Sequence, residues 1–351
     1  MIGASSLTRR GQPQVKIGEK IDRIRIRGTL LFGHLVGTFQ RRYLGDCRSR
    51  QWTRKGPLLA AVGLVVLVPH GFGQSVPAAA SDASKGPSSG DLFGQVIANQ
   101  KRVDADLNIY ERIERVEIRK TGSDAKPSEV KAWRVFPVGT GTDKIPLTPE
   151  GKPVNVDSYR TALEKLESAL MWAAQEGVGQ REAYAKMERR KKERNDLIDV
   201  TRKAFFFSKI GEEMRGNRIL IKYDMTRNPE YKAATRNEML FTKVKGTIWI
   251  DKQTSELAKI EGHVTGDISI ALFLAKVYQG SYFMQERYEM APGAWLPSYQ
   301  QYDFDGRKFL VPFSIHERTF YTGYRRVGPP KQAVELVRDE LSKLAGNRGD
   351  P

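Results

Sequence analysis

The sequence predicts an α+β fold in which a strongly curved antiparallel β-sheet, an incomplete barrel, is covered by helices. Two observations carry this prediction. Residues 211–327 form an almost uninterrupted series of short strand patterns joined by hairpin-length turns, which is typical of an antiparallel meander. Residues 156–207 instead carry apolar residues at helical spacing. A sheet with one apolar face must bury that face, and the helices are the available cover.

The N-terminal region has the pattern of an export signal. Residues 1–57 carry 13 Lys and Arg residues against 3 acidic ones, so the basic character of the chain, formally +17, lies largely there. The apolar run "LLAAVGLVVLV", Leu58 to Val68, follows a basic pair and precedes small residues. These features are typical of a secretory signal peptide, and the run is short for a membrane span, which takes about 20 residues. We therefore expect a periplasmic protein; an inner-membrane anchor formed by an uncleaved signal is the alternative.

The domain organisation follows from these segments. We assign residues 1–57 to a basic extension, which reflects either a mis-assigned start or a long basic segment before the signal. Residues 58–80 form the apolar and cleavage regions of the signal, residues 81–90 a flexible linker, and residues 91–346 a single α+β domain. The one cysteine, Cys47, precedes the signal, so disulfides, thiolate nucleophiles and cysteine metal sites are excluded from the mature chain.

The elements of the domain follow in order. A short helical pattern begins at Asp91, with Leu92, Val96 and Ile97 on one face. Two strand patterns come next, "LNIYERIERVEIRK" and "VKAWRVFPV". Residues 156–207 predict either a helical hairpin or one long helix broken at "GVG". The meander then runs over residues 211–327 with turns at "DKQTSE", "APGA" and "FDGR", and a helix over residues 331–344 closes the chain.

One hairpin of the meander, "GTIWIDKQTSELAKIEG" at residues 246–262, has a turn that can satisfy its own backbone donors. Asp251 and Thr254 are both able to accept hydrogen bonds from amides a few residues away. We predict a structural turn here, with Ile248 and Ile250 packing on one face of the strand before it.

This hairpin, preceded by "NEMLF" and followed by "GAWLPSYQQYDFDGRKF", resembles the periplasmic lipoprotein-carrier superfamily, which includes outer-membrane lipoprotein-sorting proteins. The resemblance covers roughly residues 211–327, with a weaker similarity over residues 91–138. It implies an incomplete antiparallel barrel wrapped over helices, with an apolar concavity that holds acyl chains. The segment at residues 156–207 has no counterpart in the compact carriers of that superfamily.

The candidate ligand-binding residues are the apolar members of the alternating strands. An apolar concavity for an acyl chain suits aromatic and methionine side chains, which tolerate varied shapes. The alternative is an ordinary filled core beneath the helices. The predicted set comprises Ile219, Ile221, Tyr223, Met225, Tyr282, Met284, Tyr288, Phe309, Val311, Phe313 and Ile315.

Signals for chemistry are weak. His263, His316 and Glu317 are the best candidates for a metal or acid–base site, but His316-Glu317 lacks the second histidine of a zinc-protease helix, and no Ser-His-Asp set has the local context of a nucleophile elbow. We therefore predict no catalytic residues, metal or cofactor. The basic segment 186–203 predicts a solvated helix, stabilised by pairs such as Glu188 with Lys192, or a contact with an anionic membrane surface or a protein partner.

The function expected from the sequence is that of an exported, non-enzymatic binding protein that shelters a lipid or a lipoprotein acyl chain in an apolar half-barrel. Such a protein serves lipoprotein sorting or lipid traffic in the cell envelope. The alternatives are an envelope sensor or scaffold that binds a protein partner, or a secreted hydrolase. Nucleic acid is not an expected partner, since the chain carries an export signal.

Overall fold

The structure, a computed structural model, describes residues 92–120, 122–235, 237–270, 275–308 and 311–346. The basic extension, the predicted signal and the linker therefore lie outside the described residues. The described helices are α1 (Leu92–Asp106), α2 (Val156–Ala173), α3 (Val178–Ala204) and α4 (Pro330–Gly346), with a 3-10 helix at Glu238–Lys243. The strands are β1 (Tyr110–Arg119), β2 (Glu129–Pro137), β3 (Thr142–Leu147), β4 (Phe205–Arg215), β5 (Arg218–Arg227), β6 (Val244–Asp251), β7 (Leu257–Val264), β8 (Ile268–Ile270), β9 (Ala275–Val277), β10 (Tyr282–Ala291), β11 (Ala294–Lys308) and β12 (Val311–Arg326).

These strands form one curved antiparallel sheet, which confirms the α+β class and the antiparallel sheet. The order is β3-β2-β1-β12-β11-β10-β7-β6-β5-β4, and the short β8–β9 hairpin pairs with the far end of β11. The sheet is not closed, because β3 and β4 stand at its two ends. The beginning and the end of the strand series meet in the middle of the sheet, because β1, the first strand, pairs with β12, the last.

Two boundaries differ from the sequence prediction. The sheet resumes at Phe205, before the predicted start at residue 211, because the aromatic run "FFF" continues α3 directly into the edge strand β4. The predicted turn at "FDGR" is wrong: residues 303–307 lie within β11, and Asp305 and Gly306 pair with Ser314 and Phe313 of β12. The local Asp-Gly signal is overridden by the ladder on both sides of it.

The register defines two faces of the sheet, since directly paired residues lie on the same face. The inner face carries Phe283, and the pairing of Gln285 with Gln300 and of Gln300 with Thr319 extends that face across β10, β11 and β12. Thr319 pairs with Val116, and Val116 with Lys131 of β2. Phe136 of β2, which has the opposite parity, therefore lies on the outer face.

Helices α2 and α4 pack on the outer face at the β2–β3 end. Their leucine and valine side chains surround Phe136 and Ile145 in a continuous core cluster. Leu163, Leu166 and Leu170 have the spacing that places one helix stripe against a sheet, and none is more than 1% exposed. Helix α2 begins at the Asn155 cap, whose side chain accepts from the Ser158 amide at 2.7 Å.

A buried guanidinium joins both helices to the sheet. Arg134 of β2 donates to Glu111 of β1 at 2.6 Å, to Glu340 of α4 at 2.8 Å and to the Tyr159 hydroxyl of α2 at 2.6 Å. Glu111 also pairs with Arg325 of β12. Burial works against the charge, but the facing carboxylates raise the pKa of Arg134 above its ordinary value. The outer-face layer is thus held by apolar packing and by a fully partnered charge cluster.

The segment at residues 156–207 does not form the predicted helical hairpin. Helix α2 packs on α4, whereas α3 packs on α1, so the two helices diverge to different faces of the sheet. Contacts between them lie at their junction, where Gln180 donates to the Trp172 carbonyl and the Tyr184 hydroxyl donates to the Ala173 carbonyl. The alternative of a long helix broken near "GVG" describes the chain path better, because α3 begins at Val178 within that triplet.

The turn at residues 251–256 is confirmed as a self-satisfied turn. Asp251 Oδ1 accepts from the Gln253 amide at 3.1 Å and from the Thr254 amide and hydroxyl at 2.8 Å. The turn also binds α1: the Asn99 side-chain amide donates to the Thr254 and Ser255 carbonyls at 3.0 and 3.1 Å. This hairpin therefore anchors α1 against the inner face.

Candidate apolar binding cavity

An apolar cavity of about 90 Å³ lies between the inner face and the helices α1 and α3. This volume has room for several water-sized groups, since one such group needs about 10–15 Å³ on the same measure, but it is smaller than the cavity of about 150 Å³ that binds benzene in another protein. An acyl chain can therefore enter only if the walls move apart. Its walls come from α1, α3, β4 and the 3-10 helix, and its floor from β5, β6, β7 and β10. The lining residues are Phe93, Val96, Ile97, Gln100, Ile198, Thr201, Arg202, Phe205, Phe207, Met225, Leu240, Phe241, Val244, Ile248, Leu257, Ile260 and Phe283.

Aromatic rings form one wall of the cavity. Phe93 of α1 stacks on Phe207 with ring centroids 4.4 Å apart and meets Tyr223 edge-on at 5.2 Å. Phe205 meets Phe241 of the 3-10 helix edge-on at 5.8 Å. Offset and edge-on aromatic pairs of this kind add to the free energy of burial, so the wall is defined by specific contacts and not only by shape.

A pair of glycines sets the depth of the floor. Gly246 of β6 pairs with Gly262 of β7, and Gly262 pairs with Phe283 of β10. A Cβ atom on Gly262 would lie 2.5 Å from two ring carbons of Phe283, which is closer than atoms can approach. The absence of a side chain at Gly262 therefore leaves the space that the Phe283 ring occupies at the cavity floor.

The cavity reaches the protein surface at the end of α3. Arg202, an exposed residue in the last turn of that helix, is among the lining residues. At the opposite, interior side the lining includes Gln100, whose side-chain oxygen accepts from the buried Arg287. The cavity is thus apolar along its length, with a cation at its mouth.

The predicted ligand-binding set is only partly placed around this cavity. Met225 lines it, and Tyr223 contacts the lining residue Phe93. Ile219 and Ile221 share the inner face with these two by strand alternation, but neither lines the cavity and Ile219 is 39% exposed.

The remaining predictions do not line the cavity. Tyr282 and Met284 flank Phe283 and so point to the outer face, where Tyr282 contacts the His263 ring. Tyr288 is exposed beneath the Arg215 guanidinium. Phe313 and Ile315 belong to the inner face beyond the cavity, Val311 is 53% exposed, and Phe309 lies outside the described residues. A ligand site at these residues therefore stays a prediction that is separate from this cavity.

Sequence reasoning missed most of the true lining. Phe93 belongs to a helix that is far from the meander in sequence, and Phe241 belongs to a 3-10 helix inserted between β5 and β6. A signal was present for part of it: Val96 and Ile97 were expected on one helix face, and Ile248 was expected to pack on one strand face. That these faces meet is a tertiary fact that no local pattern contains.

The outer face carries a separate chain of polar side chains on β11 and β12. The Ser314 hydroxyl lies 2.9 Å from His316 Nε2, and His316 Nδ1 lies 2.9 Å from Asp303 Oδ1. Arg318 also donates to Asp303 at 2.8 Å. Burial works against ionisation of this carboxyl, but hydrogen bonds from Arg318, Gln301 and His316 hold its pKa below the ordinary value. The connectivity matches that of a Ser-His-Asp hydrolase triad.

The protons of this chain are arranged differently from those of a triad. Ser314 Oγ also lies 2.6 Å from Asp305 Oδ1, and a contact this short between a hydroxyl and a carboxylate uses the single hydroxyl proton. With its proton directed at Asp305, the hydroxyl does not donate to His316 Nε2. A nucleophilic serine requires the opposite direction, because the histidine must take the serine proton. We therefore interpret these polar side chains as a structural hydrogen-bonded ladder between the paired strands β11 and β12.

Two further observations limit the classes of site. Across the described residues, no group of three or more His, Cys, Asp or Glu side chains could hold a metal ion. Among the helices that the structure describes, none is both long and apolar enough to cross a bilayer. Comparison with protein-family models, curated proteins and solved structures finds no match to this chain.

Proposed function

We propose that this protein is a non-enzymatic binding protein that shelters a lipid or lipoprotein acyl chain in the cavity under α1 and α3. The observation that carries the proposal is the lining: 14 of the 17 residues around the cavity are apolar or aromatic. A cavity of this kind gains about 25 cal/mol for each Å² of ligand surface removed from water. The resemblance to lipoprotein carriers and the signal-like N-terminus support a role in envelope lipid traffic.

The contacts of α1 support a binding site over a permanently filled core. Helix α1 is held to the 251–256 turn by hydrogen bonds from Asn99, and to α3 by the exposed ion pair of Lys101 with Asp199 at 2.6 Å. Exposed pairs of this kind contribute about 0–1 kcal/mol. Toward its C-terminal end α1 is also held by Gln100 with the buried Arg287 and by the buried Val103 and Leu107. The N-terminal part of α1 can therefore move at smaller cost than its C-terminal part, and a chain-sized ligand needs such a movement in order to enter.

The test is to fill the cavity without disturbing the fold. Val96→Phe places a larger side chain into the cavity from α1. Val311→Phe makes the same exchange at an exposed position that the sequence, but not the structure, assigns to the ligand site. We expect native mass spectrometry of the mature chain to detect a co-purifying lipid in wild type and in Val311→Phe, and a fluorescent fatty-acid probe to lose affinity for Val96→Phe alone. Equal binding by the two folded variants would exclude this cavity as the site.

A further inference from the structure

The cavity mouth has a charge that its walls lack. Of the described residues that line the cavity, Arg202 is the only charged one. It stands on the last turn of α3, next to Lys203, and its side chain is exposed. An apolar chain that fills the cavity must end, or continue into water, where Arg202 stands.

Two charged side chains of the helices beside the cavity, Asp199 and Arg102, are already paired. Asp199, one turn before Arg202 on the same helix, is held by Lys101 at 2.6 and 2.8 Å through both carboxylate oxygens. Arg102 of α1 is held by Glu256. The Thr201 hydroxyl donates its proton to the Ile198 carbonyl at 2.6 Å. Within the part of the chain that the structure describes, Arg202 itself forms no ion pair.

From this arrangement we infer that the ligand is an amphiphile with an anionic head, a carboxylate or a phosphate, which Arg202 binds at the mouth while the apolar chain occupies the cavity. The inference rests on the proposed function. A guanidinium presents paired donors that match the oxygens of a carboxylate or phosphate, and such charge-assisted hydrogen bonds are about twice as strong as neutral ones. A neutral head group would accept no charge-assisted hydrogen bond between opposite charges from Arg202.

A simpler role for Arg202 is to offset the partial negative charge at the C-terminus of α3. Lys203 has the same charge, lies in the same turn and does not line the cavity. Arg202→Gln and Lys203→Gln are therefore matched variants: both remove one positive charge from the helix end, and only the first removes it from the cavity mouth.

The experiment compares the affinities of dodecanoate, dodecyl phosphate and dodecanol for the mature chain and both variants, by calorimetry below the micelle concentrations. We expect Arg202→Gln to bind the two anions about tenfold more weakly, the equivalent of about 1.4 kcal/mol, and to bind dodecanol as wild type does. Lys203→Gln should leave all three affinities unchanged. The two anions distinguish a fatty-acid ligand from a phosphorylated lipid, according to which binds wild type more tightly.

Each other outcome overturns the inference. Equal weakening for dodecanol would show that Arg202 shapes the cavity and does not read charge. Equal weakening by Lys203→Gln would assign the effect to general charge at the helix end. If wild type binds dodecanol as tightly as dodecanoate, the inference fails and the proposed function stands. If wild type binds none of the three ligands, the proposed function fails, and the inference with it.

Discussion

The two helix layers of this protein cover the same sheet in different ways. On the outer face, α2 and α4 interdigitate with Phe136 and Ile145, and the side chains between them are almost completely buried. On the inner face, α1 and α3 stand over β5, β6 and β7 and leave a cavity of about 90 Å³. Protein interiors are normally packed as densely as organic crystals. The outer layer has such a close-packed apolar core beside a polar pocket of about 390 Å³, which Arg134 and Glu340 line, whereas the void of the inner layer is apolar.

The two layers also differ in how well their charged side chains are paired. Arg134 in the outer layer is surrounded by carboxylates, and its charged form is favoured there. In the inner layer, burial raises the pKa of Glu256 above the ordinary value even though Arg102 and Arg287 attract its charge. The outer layer therefore combines a close-packed apolar core with paired charges, whereas the inner layer has an apolar void and an incompletely compensated charge.

The largest effect on stability is expected from removing the guanidinium of Arg134, which joins α2 and α4 to the sheet. Arg134→Ala leaves Glu111 and Glu340 without their shared partner, and loss of one member of a buried cluster costs about 3–5 kcal/mol. Chemical denaturation measures this as a fall in the free energy of unfolding. Arg338→Ala, which removes an exposed pair with Glu167 at 2.7 Å, is the control and should change stability little. Similar losses for both variants would contradict the assignment of Arg134 as the joint of this layer.

Truncation of one leucine in each layer tests the packing difference directly. Leu163→Ala in the filled layer should cost about 3–4 kcal/mol, because the new cavity adds to the lost burial. Leu240→Ala should cost less by about 1 kcal/mol, since Leu240 already borders a void and has fewer contacts to lose. The free energies of unfolding of the two variants decide the matter. An equal or larger cost at Leu240 would mean that the inner layer is packed as tightly as the outer one.

The charge difference predicts an unusual result at Glu256. A carboxyl whose pKa is higher in the folded chain than in the unfolded chain binds protons preferentially when folded, so its contribution to stability becomes more favourable as the pH falls from 7 toward the raised pKa. Glu256→Gln should therefore be as stable as wild type at pH 7, within about 0.5 kcal/mol, despite losing its ion pair. The variant should also lack this part of the pH response. A clear loss of stability at pH 7 would show that Glu256 is well compensated after all.

The smallest effect is expected on the outer face, away from both layers' contacts, at the Ser314 ladder. Ser314→Ala removes an exposed hydroxyl and should change stability by less than about 0.5 kcal/mol. Because the Ser314 hydroxyl donates its proton to Asp305, it is not activated as a nucleophile, and a fluorophosphonate probe should not label the wild-type protein. Labelling that disappears in Ser314→Ala would instead identify a serine hydrolase and overturn the assignment of this chain as a structural ladder.

The sequence predicted what is decided locally. The turn at Asp251 depends on hydrogen bonds to amides two and three residues away, and it forms as expected. Strand alternation likewise predicted the common face of β5. Which residues of β5 lie under a helix was not predictable, because this depends on α1, which is more than a hundred residues earlier in the chain.

The error on β10 has a clear physical reason. Tyr282, Phe283 and Met284 are consecutive apolar residues, so the pattern does not say which parity faces inward. The structure places Phe283 inward, where its ring fits over Gly262 of the neighbouring strand. The contact with Gly262 on the neighbouring strand therefore determines which residues of β10 face inward, and the sequence of β10 alone does not.

That pairing also limits how the binding property can be inherited. Glycine and alanine codons differ by a single nucleotide, and a methyl group at residue 262 would force the Phe283 ring to shift beside the cavity that it lines. The clash is with the far end of a side chain and not with backbone, so the sheet itself need not break. A lineage could therefore keep this sheet and lose its cavity through one point mutation, so among descendants of this chain residue 262 should separate hollow proteins from filled ones.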